Sequence, residues 1–223
     1  PSLNKTGLKA SKWNKNSNRL EEKSRLIIRD GQVYKYFSDP GAFHREMAAY
    51  SLALPQTPRL IRWNEPDLIV LEQVQGTPYL DLPLDTRICV LLADTISAFH
   101  LATLQEGRCI CHWDNQPRNI LIKDTSCWLI DFSDSREAAP EDDISHLLLF
   151  WAGEFETNTF QKLAQEFISR YLQFVTLSPE TWKPACERSV HRFDERRSRF
   201  GHRKLSIPHH TQTSNRQFLA QLV

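Results

Sequence analysis

Three side chains in one short stretch of the sequence have the types and spacing that phosphoryl transfer needs. Asn119 follows Asp114 by five residues, and Asp131 comes after two apolar runs. This reaction requires a carboxylate that receives or orients an acceptor hydroxyl, and hard oxygen ligands for a Mg²⁺ ion that bridges nucleotide phosphates. Two carboxylates and one amide oxygen supply that set.

The residues around these three predict a β-hairpin that would hold them close together. Apolar, β-prone runs occupy 120–122 and 128–130, and a polar turn lies between them. Asp114 and Asn119 lie in or at the end of the loop before the first strand, and Asp131 lies at the exit of the second. The alternative is an ordinary hairpin with polar residues at its turn. Any one of these side chains alone would favour that alternative.

The order of motifs in this stretch resembles the protein-kinase-like superfamily. His112-x-Asp114 with Asn119 five residues later, followed by Asp131-Phe132, is similar to the kinase catalytic loop and the metal-binding motif after it. The resemblance implies three catalytic residues, with Asp114 as the base and Asn119 and Asp131 as ligands of Mg²⁺. It also implies that His112 is structural and supports the 112–119 loop.

Two charged residues nearer the N-terminus extend the resemblance. Residues 25–37 form two β-prone runs around an Asp-Gly pair, which predicts a hairpin with Lys35 in its second strand. A helix predicted over 42–52 contains Glu46. Alone, Lys35 could reach the surface and Glu46 could be exposed. Together they resemble the kinase ion pair, which implies that Lys35 binds the phosphates of ATP with Glu46 behind it.

The next segments are similar to the part of a kinase that joins its two lobes. Strands are predicted over 60–63 and 67–76, and a helix with one apolar face over 85–104. The second strand resembles the segment that ends in the kinase hinge. On that match, Glu72 and Val74 would offer backbone groups to adenine, although an ordinary buried strand has the same pattern.

The chain departs from protein kinases after Asp131. Only a short segment, 133–141, precedes the body of the next helix, which leaves little chain to align a peptide acceptor. Asp143 in that helix is similar to an aspartate of aminoglycoside and choline kinases, and the resemblance implies that it braces the 112–119 loop. These features place the chain closest to the aminoglycoside phosphotransferase and small-molecule kinase branch.

Two further features differ from the protein-kinase pattern. No glycine-rich loop precedes Lys35, because only two glycines occur before it. Gln116 stands two residues after Asp114, where protein kinases have a phosphate-binding lysine. A neutral amide cannot act as a charged clamp on the transferring group. Arg118 is the nearest cation in sequence that could replace it.

Composition limits the classes of function. Of the 223 residues, 40% are hydrophobic and 25% charged, as is usual for globular proteins, and a net charge of +1 argues against a nucleic-acid partner. No apolar run approaches the roughly 20 residues that span a bilayer. Five scattered cysteines are typical of reduced thiols, which predicts a cytoplasmic protein. A zinc site at Cys109-x-Cys111-His112 would lack a second cluster of ligands.

The C-terminal third predicts helices and a less ordered end. An amphipathic helix is expected over 160–174, followed by an arginine-rich segment over 181–204. That segment could attract an acidic acceptor, but charges of both signs favour a solvated helix face. The predicted organisation is a polar leader (1–24), an N-lobe (25–76), a helical C-lobe with the catalytic hairpin (77–207) and a loosely held tail (208–223).

The sequence therefore predicts an α+β, two-lobed, protein-kinase-like fold with a small β-rich N-lobe and a mainly helical C-lobe. The expected function is transfer of the γ-phosphate of ATP, with Mg²⁺, to the hydroxyl of a small molecule. Two alternatives stay open: a compact serine/threonine protein kinase, and a kinase-like binding module without catalysis.

Overall fold

The N-terminal lobe is an antiparallel sheet with one helix against it. The computed structural model describes residues 24–200 and 206–223, so nearly all of the expected leader lies outside the described residues. The strands are β1 (Ser24–Arg29), β2 (Gln32–Phe37), β3 (Leu60–Asn64) and β4 (Leu68–Glu72). Their spatial order is β1-β2-β4-β3. The helix is α1 (Pro40–Tyr50).

Local sequence explains these elements. Asp30 and Gly31 have φ values of 53° and 71°, the positive region that lets a two-residue turn match the twist of the strands it joins. Asp39 caps α1 by accepting a hydrogen bond of 2.8 Å from the N–H of Gly41. Pro40 suits the first helical position because its missing N–H would have no helical partner there. The predicted hairpin and helix are both present.

The C-terminal lobe is built from five helices and several short strands in the described part of the chain. The helices are α2 (Thr86–Thr103), α3 (Pro140–Ala152), α4 (Thr157–Tyr171), α5 (Pro179–Phe200) and α6 (His209–Leu219). The short strands are β5 (Thr77–Pro78), β6 (Cys109–Cys111), β7 (Ile120–Lys123), β8 (Ser126–Leu129) and β9 (Arg136–Ala138). They form one three-stranded sheet, β5-β7-β8, and one pair, β6-β9. The expected α+β fold with a small sheet lobe and a helical lobe is confirmed.

Phe132 connects the two lobes in the core. Its ring lies 5.3 Å from the ring of Tyr50 in α1 and 5.1 Å from that of Phe99 in α2. It also lies 4.6 Å from the ring of His112. Phe132 is fully buried, so the residue that precedes it, Asp131, is held at a fixed place between the lobes.

The expected loosely held tail over 208–223 was wrong, because residues 209–219 form the packed helix α6. Asn215 is completely buried, and its Nδ2 donates to the carbonyls of Ala152 (3.1 Å) and Phe155 (2.9 Å). Trp182 donates through Nε1 to the carbonyl of Leu219 at 2.8 Å. The helix was not predicted because the face that it buries is largely polar, so the sequence shows no apolar helical pattern there.

Asn215→Ala should destabilise the protein by about 2 kcal/mol, because it leaves one buried and one partly buried carbonyl without their donor. For a chain of this length the melting temperature should fall by roughly 4–8 °C. Thermal unfolding followed by circular dichroism measures this, with Ser214→Ala on the exposed side of α6 as the control. Equal melting temperatures for the two variants would show that α6 is not packed.

No helix within residues 24–200 or 206–223 is long and apolar enough to cross a bilayer.

Candidate active site

Lys35 joins the two lobes through a pair of carboxylates. Its Nζ contacts Oε1 of Glu46 in α1 and lies 2.7 Å from Oδ1 of Asp131. Glu46 is completely buried and Lys35 is 4% exposed. The structure therefore brings together the two residues of the expected ion pair and adds to them the expected metal ligand, Asp131.

The environment of this cluster shifts the pKa of each of its three members. Burial alone would lower the pKa of Lys35, but Glu46 and Asp131 raise it above its ordinary value, so the ammonium stays charged. Burial raises the pKa of Glu46, against the opposing effect of Lys35. Burial also opposes ionisation of Asp131, yet Lys35 and the hydroxyl of Ser133 hold the pKa of Asp131 below its ordinary range. Asp131 is thus a carboxylate available to a cation.

Asp114 lies between β6 and β7 with both carboxylate oxygens in use. Its Oδ2 accepts hydrogen bonds from Nε2 of Gln116 (2.9 Å) and Nδ2 of Asn119 (3.3 Å). Its Oδ1 accepts one from Nη1 of Arg196 in α5. Nη2 of the same guanidinium donates to Asp134 at 2.7 Å.

Asn119 is placed for a role as a cation ligand. Its Nδ2 also donates to the carbonyl of Asp114 at 2.7 Å, which leaves Oδ1 as the amide atom that can bind a cation. Its own carbonyl accepts a hydrogen bond of 2.9 Å from the N–H of Ile130, so the hairpin holds Asn119 next to Asp131. A carboxylate and an amide oxygen fit Mg²⁺, which commonly takes few protein ligands and completes its shell with phosphate oxygens and water.

Asp143 supports the backbone of the 112–119 loop. Its carboxylate accepts hydrogen bonds from the N–H groups of His112 (2.6 Å) and Trp113 (2.8 Å), and contacts Nε2 of His100 at 3.1 Å. Trp113 has a φ of 64°, which is costly for a residue with a side chain and needs such restraint. His112 donates through Nε2 to the carbonyl of Ile130 at 2.9 Å, which ties the loop to the hairpin.

The stabilisation that ionised Asp143 gives the fold should be lost in acid. Although burial opposes ionisation, His100 and the other donors lower the pKa of Asp143 from 3.8 to about 2. A carboxyl whose folded pKa is below its unfolded pKa stabilises the fold above the unfolded value, and that contribution disappears as the pH falls through the folded value.

The contribution of Asp143 is about 2 kcal/mol. Unfolding in urea should therefore give a higher free energy of unfolding for wild type than for Asp143→Asn. This difference should shrink by that amount as the pH falls from about 5 to about 2. An advantage that does not change with pH would contradict the assignment.

Glu72 and Val74 lie at the end of β4 and just beyond it, as the hinge match expects. The N–H of Glu72 donates to the carbonyl of Arg59 at 2.9 Å, so only its carbonyl is left for adenine. The N–H of Val74 has no main-chain partner within the described ranges. A cavity of about 520 Å³ beside this segment is lined by Val74 but not by Lys35 or Asp131, so it is separate from the charged cluster.

The arginines of α5 were expected in the arginine-rich segment over 181–204, but none of them was assigned to the site. Arg188, Arg192 and Arg196 recur every four residues and share one face of the helix, which packs towards the 112–119 loop. Arg188 pairs with Asp142 at 2.8 Å, and the guanidinium of Arg192 lies 4.2 Å from the ring of Trp113. The expectation of a solvated face was wrong for Arg192 and Arg196. Their four-residue spacing was the signal.

Arg118 is exposed on a short helical turn. It was the cation nearest in sequence that could replace the missing lysine.

The structure also brings His100, rather than His112, beside Cys109 and Cys111. Both ring nitrogens of His100 are already engaged, with Tyr171 at 2.7 Å and with Asp143. This group is therefore a packed part of the core beneath the 112–119 loop.

A family model and a curated relative match this chain. The model of a family described as phosphotransferase enzyme family matches residues 21–182. A probable bifunctional tRNA threonylcarbamoyladenosine biosynthesis protein of Methanothermobacter thermautotrophicus is 32% identical over 111 residues. That match covers 49% of this chain and 20% of the relative, so the chain spans only a small part of the relative's length.

Solved structures share the fold at low sequence identity. An ethanolamine kinase from Plasmodium vivax has a TM-score of 0.58 at 11% identity, covering 90% of this chain and 83% of that one. The ADP-bound aminoglycoside phosphotransferase APH(2'')-Ib has a TM-score of 0.56 at 13% identity, covering 95% and 94%. The expected kinase-like, two-lobed fold is confirmed.

Proposed function

Because the chain belongs to the phosphotransferase enzyme family, we propose that it transfers the γ-phosphate of ATP, with Mg²⁺, to a hydroxyl group of a small molecule. Family membership confirms the expected class of enzyme. The observation that carries the rest is the contact of Lys35 with both Glu46 and Asp131, beside the loop that presents Asp114.

Lys35 is the proposed ligand of the α- and β-phosphates. It is charged, fixed by Glu46 and directed into the space between the lobes where Asp131 lies. Adenine would bind along the segment after β4 through the carbonyl of Glu72 and the N–H of Val74. The ADP found in a structure of the same fold supports a nucleotide in this cleft.

Asn119 and Asp131 are the proposed ligands of Mg²⁺, which would neutralise charge on the nucleotide phosphates. Asp114 would accept a hydrogen bond from the acceptor hydroxyl and take its proton as the new bond to phosphorus forms. His112 and Asp143 would act through the backbone of the loop, since neither needs to touch the substrates to hold Asp114 in place.

A small acceptor is favoured over a peptide. Only a short segment with the strand β9 (Arg136–Ala138) separates Asp131 from α3, so little chain is available to align an extended peptide. The names of the similar structures, an ethanolamine kinase and an aminoglycoside phosphotransferase, refer to small hydroxyl compounds.

ADP formation from Mg·ATP should increase in the presence of one pool of small alcohols, sugars or amino alcohols. Phosphorus NMR should show a phosphomonoester in the same sample, and Asp114→Asn should form both products far more slowly. A mass increase on the protein itself would favour the protein-kinase alternative. Absence of both nucleotide binding and turnover would favour the binding module.

A further inference from the structure

The transferring phosphoryl group needs positive charge near its oxygens, and the 112–119 loop does not supply it. Catalysis of this reaction depends on positioning and on cations that offset the charge of the phosphoryl oxygens. Gln116 is neutral, and Arg118 is exposed on a short helical turn. A guanidinium comes instead from α5, because Arg196 donates to the carboxylate of Asp114.

Packing against the 112–119 loop directs Arg196 to this place. The ring of Trp113 lies between two guanidinium groups, Arg192 of α5 at 4.2 Å and Arg136 of β9 at 4.3 Å. Such contacts are favourable and fix the helix against the residue that precedes Asp114. Arg196 follows Arg192 by one helical turn, which places its guanidinium at the carboxylate.

Arg196 is held by two carboxylates yet keeps access to the cleft. One terminal nitrogen contacts Asp114, the other contacts Asp134 at 2.7 Å, and the side chain is 33% exposed. Although burial opposes its charge, these carboxylates raise the pKa of Arg196 further above its ordinary value. The group is a permanent cation that the protein does not fully enclose.

The hydrogen bonds of Asp114 show which contact must change when substrates bind. Oδ2 already accepts from Gln116 and Asn119, so an acceptor hydroxyl must use Oδ1. Oδ1 is the oxygen that Arg196 occupies. If the acceptor hydroxyl displaced the guanidinium from Oδ1, the guanidinium would still be bound to Asp134 through its second nitrogen. Reacting oxygen and phosphorus approach to about 3–3.5 Å, so the freed nitrogen would face the phosphoryl oxygens.

We propose that Arg196 is the charged clamp on the transferring phosphoryl group. In the free protein it rests on Asp114 and Asp134, and it moves onto the phosphoryl oxygens when nucleotide and acceptor bind. In the step itself the bond from the bridging oxygen of ATP to the γ-phosphorus breaks, and ADP keeps its electron pair. The bond from the acceptor oxygen to phosphorus forms, and the acceptor proton passes to Asp114. This inference rests on the proposed function.

The test compares the affinity of Mg·ADP with and without aluminium fluoride, a mimic of the transferring phosphoryl group in which a water takes the place of the acceptor hydroxyl. Calorimetry on the full chain should show that the fluoride complex tightens Mg·ADP binding in wild type. Arg196→Gln should lose about 100-fold of that tightening while binding Mg·ADP alone within about twofold of wild type. Arg196→Lys, which keeps the charge, should retain part of the tightening.

The control is Arg188→Gln, which removes the same charge from the same face of α5 but pairs with Asp142 away from Asp114. It should leave the tightening unchanged. Full tightening in Arg196→Gln, or faster ATP hydrolysis than in wild type, would overturn the clamp, since the arginine would then only shield Asp114. Absence of Mg·ADP binding in wild type would instead overturn the proposed function on which the clamp depends.

Discussion

Asp114→Asn should lower the rate of phosphoryl transfer by about 10³-fold, within the range that a general base contributes. Asparagine has the same shape, and its one oxygen can still accept the hydrogen bonds from Gln116 and Asn119, although its amide nitrogen cannot accept the bond from Arg196. Its amide cannot take the proton of the acceptor hydroxyl. The affinity for Mg·ATP should therefore change little, because Asp114 is not among the proposed nucleotide or metal ligands.

Rates of ADP formation and calorimetric titrations with Mg·ATP measure these two effects separately. Asp124→Asn is a matched control, since Asp124 lies at the far turn of the same hairpin with a φ of 55° that asparagine tolerates. It should keep the wild-type rate. An Asp114→Asn enzyme that retains a tenth or more of the wild-type rate would exclude Asp114 as the base.

Lys35→Met should both destabilise the fold and abolish nucleotide binding. The substitution leaves Glu46 completely buried without its opposite charge, and one oxygen of Glu46 already lacks a hydrogen-bond partner among the described residues. Breaking a buried ion pair from one side costs about 3–5 kcal/mol. Unfolding in urea measures that loss, and titration with ATP measures the loss of the proposed phosphate ligand.

The double variant Lys35→Met/Glu46→Leu separates the two effects. Replacing both members of a buried pair by apolar side chains is often neutral or stabilising. Stability should therefore return while ATP binding stays absent. A single variant as stable as wild type would show that Glu46 does not depend on Lys35. ATP binding by the double variant would show that Lys35 is not the phosphate ligand.

Local patterns made much of the fold predictable from the sequence. Asp30 and Gly31 specify a turn, and Asp85 caps α2 by accepting a hydrogen bond of 2.9 Å from the N–H of Ile88. The predicted start of α1 at residue 42 was two residues late, because apolar spacing gives no sign of a cap. Asp39 and Pro40 are the cap and the first residue of the helix.

Contacts between distant segments were not predictable from local patterns. The structure places Asp131 on Lys35 across 96 positions and Arg196 beside Asp114 across 82. In both pairs, the local sequence around one residue does not indicate which distant residue it contacts. Helix α6 was missed for a different reason, since Asn215 satisfies buried carbonyls with an amide and gives no apolar signal. The residues of the proposed site were found because their motifs resemble a family, and their contacts required the structure.

The dependence of ATP binding on Mg²⁺ and on Asp131 shows whether the cleft binds a nucleotide together with its metal ion. With Mg²⁺ and ATP at a hundredfold over the dissociation constant, wild type should gain about 2.7 kcal/mol, a rise of roughly 5–10 °C in melting temperature. That rise should be much smaller without Mg²⁺ and should not depend on Mg²⁺ in Asp131→Asn. An equal rise with and without Mg²⁺ in wild type, or no rise at all, would contradict a Mg·ATP site at Asp131.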